Sequence, residues 1–397
     1  MSLHILVLGT LISEKQGNIF LQYGIRPAPA DIVQKYLIAG LCTSHHVETV
    51  DAICSPRIHA YPKTKIKKVQ GEAFKIDQCT VESLGYLNVP MLGFAQREQR
   101  LVSSVKKWAK NQIGNDVLVL IYSMHSPFLH AAKKAKDILP NARIALIVPD
   151  LPQYMAKGGG LRKFLKRLDR KKIDYYLPVV DKYILYTKHM ADYFGLQQDQ
   201  WMVCEGLTDV SKISVEIRHK NVSNVCMYAG SLDPQYALDK LISSFERANI
   251  QAELHLYGNP REAEALMKKH PDCKKTKYMG ILSQTEIFEK MKEAKLLINP
   301  RPSNLELTKY SCPSKTFEYM ASGTPVLMTK LSGLPEEYHP YLFFFEDETE
   351  DGFVHTLESM FSLDCDQLLE MGTKAASFIK ENKGYEKQTK RIVEFCN

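Results

Sequence analysis

Residues 296–328 read LLINPRPSNLELTKYSCPSKTFEYMASGTPVLM. The apolar run Leu296–Ile298 predicts a buried strand, and Asn299-Pro300 ends it. After a polar loop, Pro313 and Ser314 open a helix running to about Ser322, with Ser314 suited to cap its start. Gly323 suits the left-handed position past the helix end, Pro325 blocks continuation, and Pro325–Met328 begins another apolar strand. Strand, loop, helix and strand make one unit of a parallel sheet. Its loop lies beyond the carboxyl ends of the strands, where such sheets bind ligands.

The side chains of that loop and first helical turn suit an anion. Ser314, Lys315 and Thr316 surround a helix N-terminus, where free N–H groups and the helix dipole attract negative charge. Lys315 adds a full positive charge, and Arg301 supplies a second from the end of the preceding strand. Glu318, one turn further on, can accept hydrogen bonds from sugar hydroxyls. Cations for phosphates beside an acceptor for hydroxyls suggest a nucleotide. From residue types alone, a simpler reading stays open: Glu318 complements the dipole and Arg301 is a solvated strand-end charge.

The run from Pro313 to Val326 resembles the donor-binding motif of family 4 retaining glycosyltransferases. It is most similar to the bacterial polysaccharide group with N-P-R, then Y-S-F-P-S-K, then E-Y-A-S-G-P-V. The resemblance implies the GT-B fold, with Glu318 binding the ribose of a nucleotide sugar. The wider family often has a second Glu eight positions earlier, where this chain has Tyr310. Relatives also bear an Arg and a Lys after the first strand of the second domain. Here Ser231 and Ala237 stand at those positions, so Arg301 and Lys315 are expected to take over the diphosphate.

With 397 residues the chain suits two domains, each with its own core. Its 45% hydrophobic and 24% charged content is that of a globular protein. No apolar run approaches the roughly 20 residues that span a bilayer, and no signal peptide is visible. Nine scattered cysteines without a C-x-x-C pair disfavour disulfides or zinc and fit a reducing cytoplasm. The net charge of +7 concentrates in the first half: Lys63, Lys65, Lys67 and Lys68; Lys106, Lys107 and Lys110; Lys133, Lys134 and Lys136. Such clusters attract nucleic acid, an anionic membrane or an acidic substrate.

In order, His4–Gly9 predicts a first strand without a G-x-G-x-x-G turn after it. A helix over Ala30–Leu41, a strand over Val47–Cys54, a helix over Gln96–Lys110 and a buried strand over Asp116–Tyr122 follow. His125, in the turn after that strand, either meets a sugar hydroxyl or shuttles a proton, or is a satisfied turn histidine. Asp150, after the strand Ala142–Val148, is a cleft candidate or an Asx-turn stabiliser. Gly158-Gly159-Gly160 leads into Leu161–Lys172. There Leu161, Phe164, Leu165 and Leu168 form one stripe, and Arg162, Lys163, Lys166, Arg167 and Arg170 crowd the other side. This basic amphipathic helix reads as a membrane-surface element, against the alternative of an ordinary solvated helix.

A polar, aperiodic linker follows Glu205-Gly206-Leu207, and the pattern restarts at Val225–Ala229. Gly230 and Ser231 then form a tight turn before a helix over Ala237–Ala248, again an anion-binding geometry. Gly280, Ile281 and Leu282 follow a later strand and, by the resemblance, meet the nucleobase.

The expected architecture is two Rossmann-like α/β domains with parallel sheets facing a central cleft. Residues 1–205 would hold the acceptor and 206–380 the nucleotide sugar, with a helix in 381–397 packing back on the first domain. The expected activity is metal-independent, retaining transfer of a hexose from a nucleotide diphosphate sugar to a lipid-linked or oligosaccharide acceptor in polysaccharide assembly. It would take place at the cytoplasmic membrane face. His125, Arg301 and Lys315 carry the chemistry. Glu318, Gly230, Ser231, Ser314, Thr316, Tyr310, Gly280, Ile281 and Leu282 bind the donor. The expected partners are the donor, the acceptor and an anionic membrane through residues 161–172; no cofactor, metal or nucleic acid is expected. A nucleotide-sugar 2-epimerase and a non-catalytic partner subunit are the alternatives.

Overall fold

The computed structural model describes residues 2–25, 29–151, 161–211, 213 and 223–397. The chain divides into one unit of residues 1–209 with 385–397 and a second of 210–384.

In chain order the first unit contains β1 (Leu3–Gly9), α1 (Glu14–Gln22), α2 (Pro29–Cys42), β2 (Val47–Cys54), β3 (Lys68–Val69), β4 (Glu72–Ile76), β5 (Cys79–Ser83) and β6 (Tyr86–Leu87). There follow α3 (Leu92–Lys110), β7 (Asp116–Tyr122), α4 (Ser126–Ile138), β8 (Arg143–Val148), α5 (Leu161–Tyr176), β9 (Lys182–Leu185), α6 (His189–Phe194) and β10 (Trp201–Val203). Eight strands form one sheet in the order β10-β9-β8-β7-β1-β2-β5-β4, parallel except for the β4–β5 hairpin. The apolar runs of β1 and β7 are buried almost throughout because helices cover both faces. Strand order reverses between β1 and β7, so the turns after these two strands flank the point where such sheets take ligands. The β3–β6 segment went unread in the sequence because its strands are short and half-exposed.

The second unit contains β11 (Val225–Ala229), α7 (Leu238–Arg247), β12 (Glu253–Tyr257), α8 (Pro260–Met267), β13 (Thr276–Gly280), α9 (Gln284–Glu293) and β14 (Leu296–Asn299). Then come α10 (Ser314–Ala321), β15 (Val326–Thr329), β16 (Phe343–Phe345), α11 (Glu350–Ser362) and α12 (Cys365–Asn382). Its six strands are all parallel, in the order β13-β12-β11-β14-β15-β16. One core cluster joins Tyr228, Leu254 and Ile298 to α7 and α11; the other joins Met227, Leu297 and Met328 to α10 and α12. Here the order reverses between β11 and β14.

The last helix, α13 (Tyr385–Cys396), belongs to the first unit. Tyr385 stacks on Tyr36 of α2 at 5.4 Å, and Thr389 comes so close to Gly40 that a Cβ there would lie 2.3 Å from its Oγ1. Nothing larger than glycine fits at position 40.

The quoted stretch folds as strand, loop, helix and strand, with one correction at the helix start. Pro313, not Ser314, takes the N-cap position, and no side chain caps the helix. Its extended backbone provides the turn into α10, and its carbonyl accepts from Thr316 N at 3.0 Å. The side chain of Ser314 lies outside the described residues, as do the triple glycine, most of the linker and the side chains of residues 161–166. At the other end Gly323 has φ +77, the left-handed stop that a Cβ disfavours.

Candidate active site

In the second unit, the turn after β11 and the loop after β14 flank the reversal point, and α10 begins beside them. The backbone of the turn is closely fitted. Gly230 N donates to Tyr257 O at 2.8 Å, and Gly258 N donates to Gly280 O at 3.1 Å, tying together the ends of β11, β12 and β13. Gly230 has φ +148, and a Cβ on it would fall 1.7 Å from Lys315 Nζ. The lysine therefore lies directly against the glycine, in space that a side chain would fill.

Lys315 donates to Tyr228 Oη at 2.8 Å, and its Nζ sits 4.3 Å from the centre of that ring. Tyr228 Oη in turn donates to Ser231 O at 2.7 Å. Tyr236 connects the two cations: its ring centre is 5.9 Å from Lys315 Nζ and 5.4 Å from the Arg301 guanidinium. Arg301 Nη2 donates to Ser311 Oγ at 3.2 Å, while its buried Nε has no hydrogen-bond partner. Among the described residues, neither cation has a carboxylate within ion-pair distance. Burial, with Arg301 adding repulsion, pulls the Lys315 ammonium down to about 8. Burial raises the Glu318 carboxyl above its usual range, against the pull of Lys315, although Glu318 keeps much of its surface open to solvent.

The structure brings Gly230, Arg301, Lys315 and Glu318 into one neighbourhood. It takes Thr316 out of it: the side chain is buried, its hydroxyl reaches Met328 Sδ at 3.8 Å, and its N–H is used by Pro313. A threonine facing the core cannot bind phosphate. Ser231 is also committed internally. Its hydroxyl donates to Glu262 at 3.1 Å, and the following Leu232 N–H donates to the same carboxylate at 2.6 Å. Tyr310 ends a single 3-10 turn, Glu306–Lys309, and is half-buried. Gly280 has φ +93, Ile281 is 55% exposed and Leu282 packs partly into the core, so of these three only Ile281 offers a large free apolar surface. Tyr228, Tyr236 and Glu262 went unread: a strand tyrosine, a loop tyrosine and a helix glutamate carry no local signal of where they converge.

His125 belongs to the first unit, at the N-cap position of α4 after β7. Arg57 Nη1 contacts both of its ring nitrogens, and Phe128 meets the ring edge-on at 5.9 Å. A guanidinium only donates, so His125 must present a lone pair to it and is held neutral. Burial, then Arg57 and Arg97, push its pKa well below the usual value. Asp150 follows β8 at the surface.

In α5 the described side chains divide. Arg170 is tied to Tyr193 and Asp174, and Lys172 to Glu98, whereas Arg167 and Lys171 are exposed and Leu168 is 43% exposed. Among the described residues, no helix is long and apolar enough to cross a membrane, and no three His, Cys, Asp or Glu side chains converge to hold a metal ion.

Residues 223–362 match the family model described as Glycosyl transferases group 1. No curated protein matches the sequence. Among solved structures, the chain is similar to Anabaena HepE in complex with UDP, with 15% identity over 99% of both chains and a TM-score of 0.63. It is also similar to the lipopolysaccharide outer core galactosyltransferase WaaB, with 12% identity over 99% of this chain and 98% of that one and a TM-score of 0.63. An α,α-trehalose 6-phosphate synthase from Burkholderia multivorans gives 10% identity over 100% and 96% and a TM-score of 0.62. At such identities the likeness carries the fold: two Rossmann-like α/β domains of the GT-B type.

Proposed function

We propose that this protein is a retaining glycosyltransferase that moves a hexose from a nucleoside diphosphate sugar to a saccharide hydroxyl, on a lipid-linked acceptor during polysaccharide assembly. The observation that carries this reading is the Arg301–Lys315 pair at the reversal point of the second sheet. Both cations lack a counter-ion among the described residues, and one buried Arg301 N–H is unpartnered. Burying uncompensated charge is costly, so the arrangement favours an anion that brings its own charge. A diphosphate satisfies both groups at once.

On this reading Arg301, Lys315 and the N-terminus of α10 stabilise the charge that grows on the departing diphosphate, with no reorganisation during the reaction. Two fixed cations can perform this neutralisation without a divalent ion. Glu318 accepts hydrogen bonds from the ribose, and Ile281 at the end of β13 covers the base. The departing phosphate takes the acceptor's proton, and the new bond keeps the anomeric configuration. The first domain serves the acceptor, with neutral His125 as its candidate for a sugar hydroxyl. Arg167, Lys171 and the exposed Leu168 support docking of α5 on an anionic membrane from the cytoplasmic side.

A thermal-shift panel of nucleotide sugars tests the reading. The true donor should raise Tm by mass action, and the stabilised donor should then support transfer. Failure of every nucleotide sugar to stabilise the fold would refute it. Isomerised sugar from donor alone would indicate the epimerase instead.

A further inference from the structure

The first unit holds a second pair of cations. Arg97 lies on α3, which follows β6; Arg57 lies in the segment after β2. Together with His125, Phe94, Phe128 and Asp169 they line a cavity of about 70 Å³. That is roughly the space of a few waters or one phosphate group, and too small for a sugar ring with its contacts. Arg97 is locked in place: its Nε donates to Ser55 Oγ at 2.9 Å, its Nη2 to Ser55 O at 3.2 Å, and its guanidinium lies 4.8 Å from the centre of the Tyr86 ring. Arg57 has His125 as its hydrogen-bonding side chain.

Among the described residues, neither arginine has a carboxylate within ion-pair distance. Asp169, the carboxylate on the cavity wall, accepts from Ser126 Oγ at the start of α4 and pulls on Arg57 only at longer range. Surroundings that dehydrate Arg97 lower its pKa to about 10, and Arg57 is lowered for the same first reason. Two crowded guanidiniums and a helix N-terminus around one small cavity outweigh its single carboxylate, Asp169, and leave positive charge unmatched. Arg97 Nη1 and Arg57 Nε and Nη2, which take no part in the Ser55 and His125 contacts, can donate to the oxygens of a phosphate.

We propose that the Arg57–Arg97 cavity is an oxyanion subsite that takes a phosphate group carried by the acceptor saccharide. The acceptor part rests on the glycosyltransferase reading; the oxyanion part does not. A phosphate seated between the arginines would fix the acceptor at one end beside His125, on the ligand-binding edge of the first sheet.

The test is calorimetric titration of the full chain with inorganic phosphate, methyl phosphate and glucose 1-phosphate in saturating UDP, which occupies the Arg301–Lys315 site, with UDP also titrated separately as a control. Arg57→Gln and Arg57→Lys are compared with wild type, since Arg57 is not part of the Ser55 anchor that holds Arg97. A Tm without ligand no lower than that of wild type confirms that each variant is folded. We expect Arg57→Gln to weaken phosphate binding at least tenfold, Arg57→Lys to restore part of it, and UDP affinity to hold in both. Glucose 1-phosphate should bind at least tenfold tighter than inorganic phosphate. Equal affinities would leave a free-phosphate site and overturn the acceptor part. Phosphate binding that survives Arg57→Gln but is lost in Arg301→Gln would place the anion in the other unit and overturn the proposal entirely, as would absent binding in wild type. Arg57-dependent phosphate binding with no response to any nucleotide sugar would instead sink the transferase reading and leave the oxyanion site standing.

Discussion

Lys315 should make nucleoside diphosphate binding weaken as pH rises above about 8. In the free protein its pKa is pulled down to about 8, first by burial and then by Arg301. A bound diphosphate brings negative charge to the same place and raises that pKa, so the complex keeps a proton that the free protein releases. Affinity is therefore full below 8 and is lost as pH climbs from 8 toward the pKa of the complex. At pH 9 only about one free molecule in eleven carries the proton, which weakens binding about tenfold relative to pH 7, or about 1.4 kcal/mol. The assay is calorimetric titration with the nucleoside diphosphate at half-unit steps from pH 7 to 9. Over that range the ligand's terminal phosphate, with a second pKa of about 6, stays at least about nine-tenths ionised. Lys315→Met carries every other titration and should give a flat profile at lower affinity. Stability runs the other way: between about 10.5 and 8 the unfolded chain takes up a proton that the folded one refuses, so folding weakens as pH falls through that window. Lys315→Met should accordingly raise Tm at pH 7. Parallel binding profiles for wild type and variant would refute the assignment of Lys315 to the diphosphate.

Glu318→Ala should weaken nucleotide-sugar binding by about 1–3 kcal/mol with Tm little changed, because the side chain is largely exposed; unchanged affinity by calorimetry would remove Glu318 from the ribose. Gly230→Ala strains a backbone at φ +148 and drives a methyl into Lys315, so diphosphate affinity should fall more than tenfold at a stability cost of roughly 1–2 kcal/mol; wild-type affinity would mean that Lys315 can leave the glycine freely. Transfer should continue in EDTA, and loss there with recovery on adding magnesium would give the neutralising role to a metal. Replacing Arg162, Lys163, Lys166 and Arg167 with Gln should reduce sedimentation with anionic vesicles at low salt, each basic residue near the surface adding on the order of 1 kcal/mol. Equal sedimentation would leave α5 an ordinary solvated helix.

What the sequence determined by itself is the order of elements in the second unit and the place of its candidate site. Continuous apolar runs such as Leu296–Ile298 and Val225–Ala229 belong to strands buried on both faces, and the Gly323 stop needs only local backbone energetics. Charge on the loop after β14 was equally legible, because a parallel sheet puts that loop at its ligand edge whatever the neighbours. Which way each side chain turns was not legible. Thr316 and Lys315 are adjacent in the chain, yet the helix turns one into the core and the other onto Gly230. The pKa of Lys315 is set first by burial and then by Arg301, against Glu318 and Glu262, and these charges come from the loop after β14, from α10 and from α8. Likewise the neutrality of His125 comes first from burial and then from Arg57 and Arg97, contributed by the segment after β2 and by α3, and no local pattern links them. Burial and electrostatics are sums over neighbours in space, so the tertiary structure alone decides them.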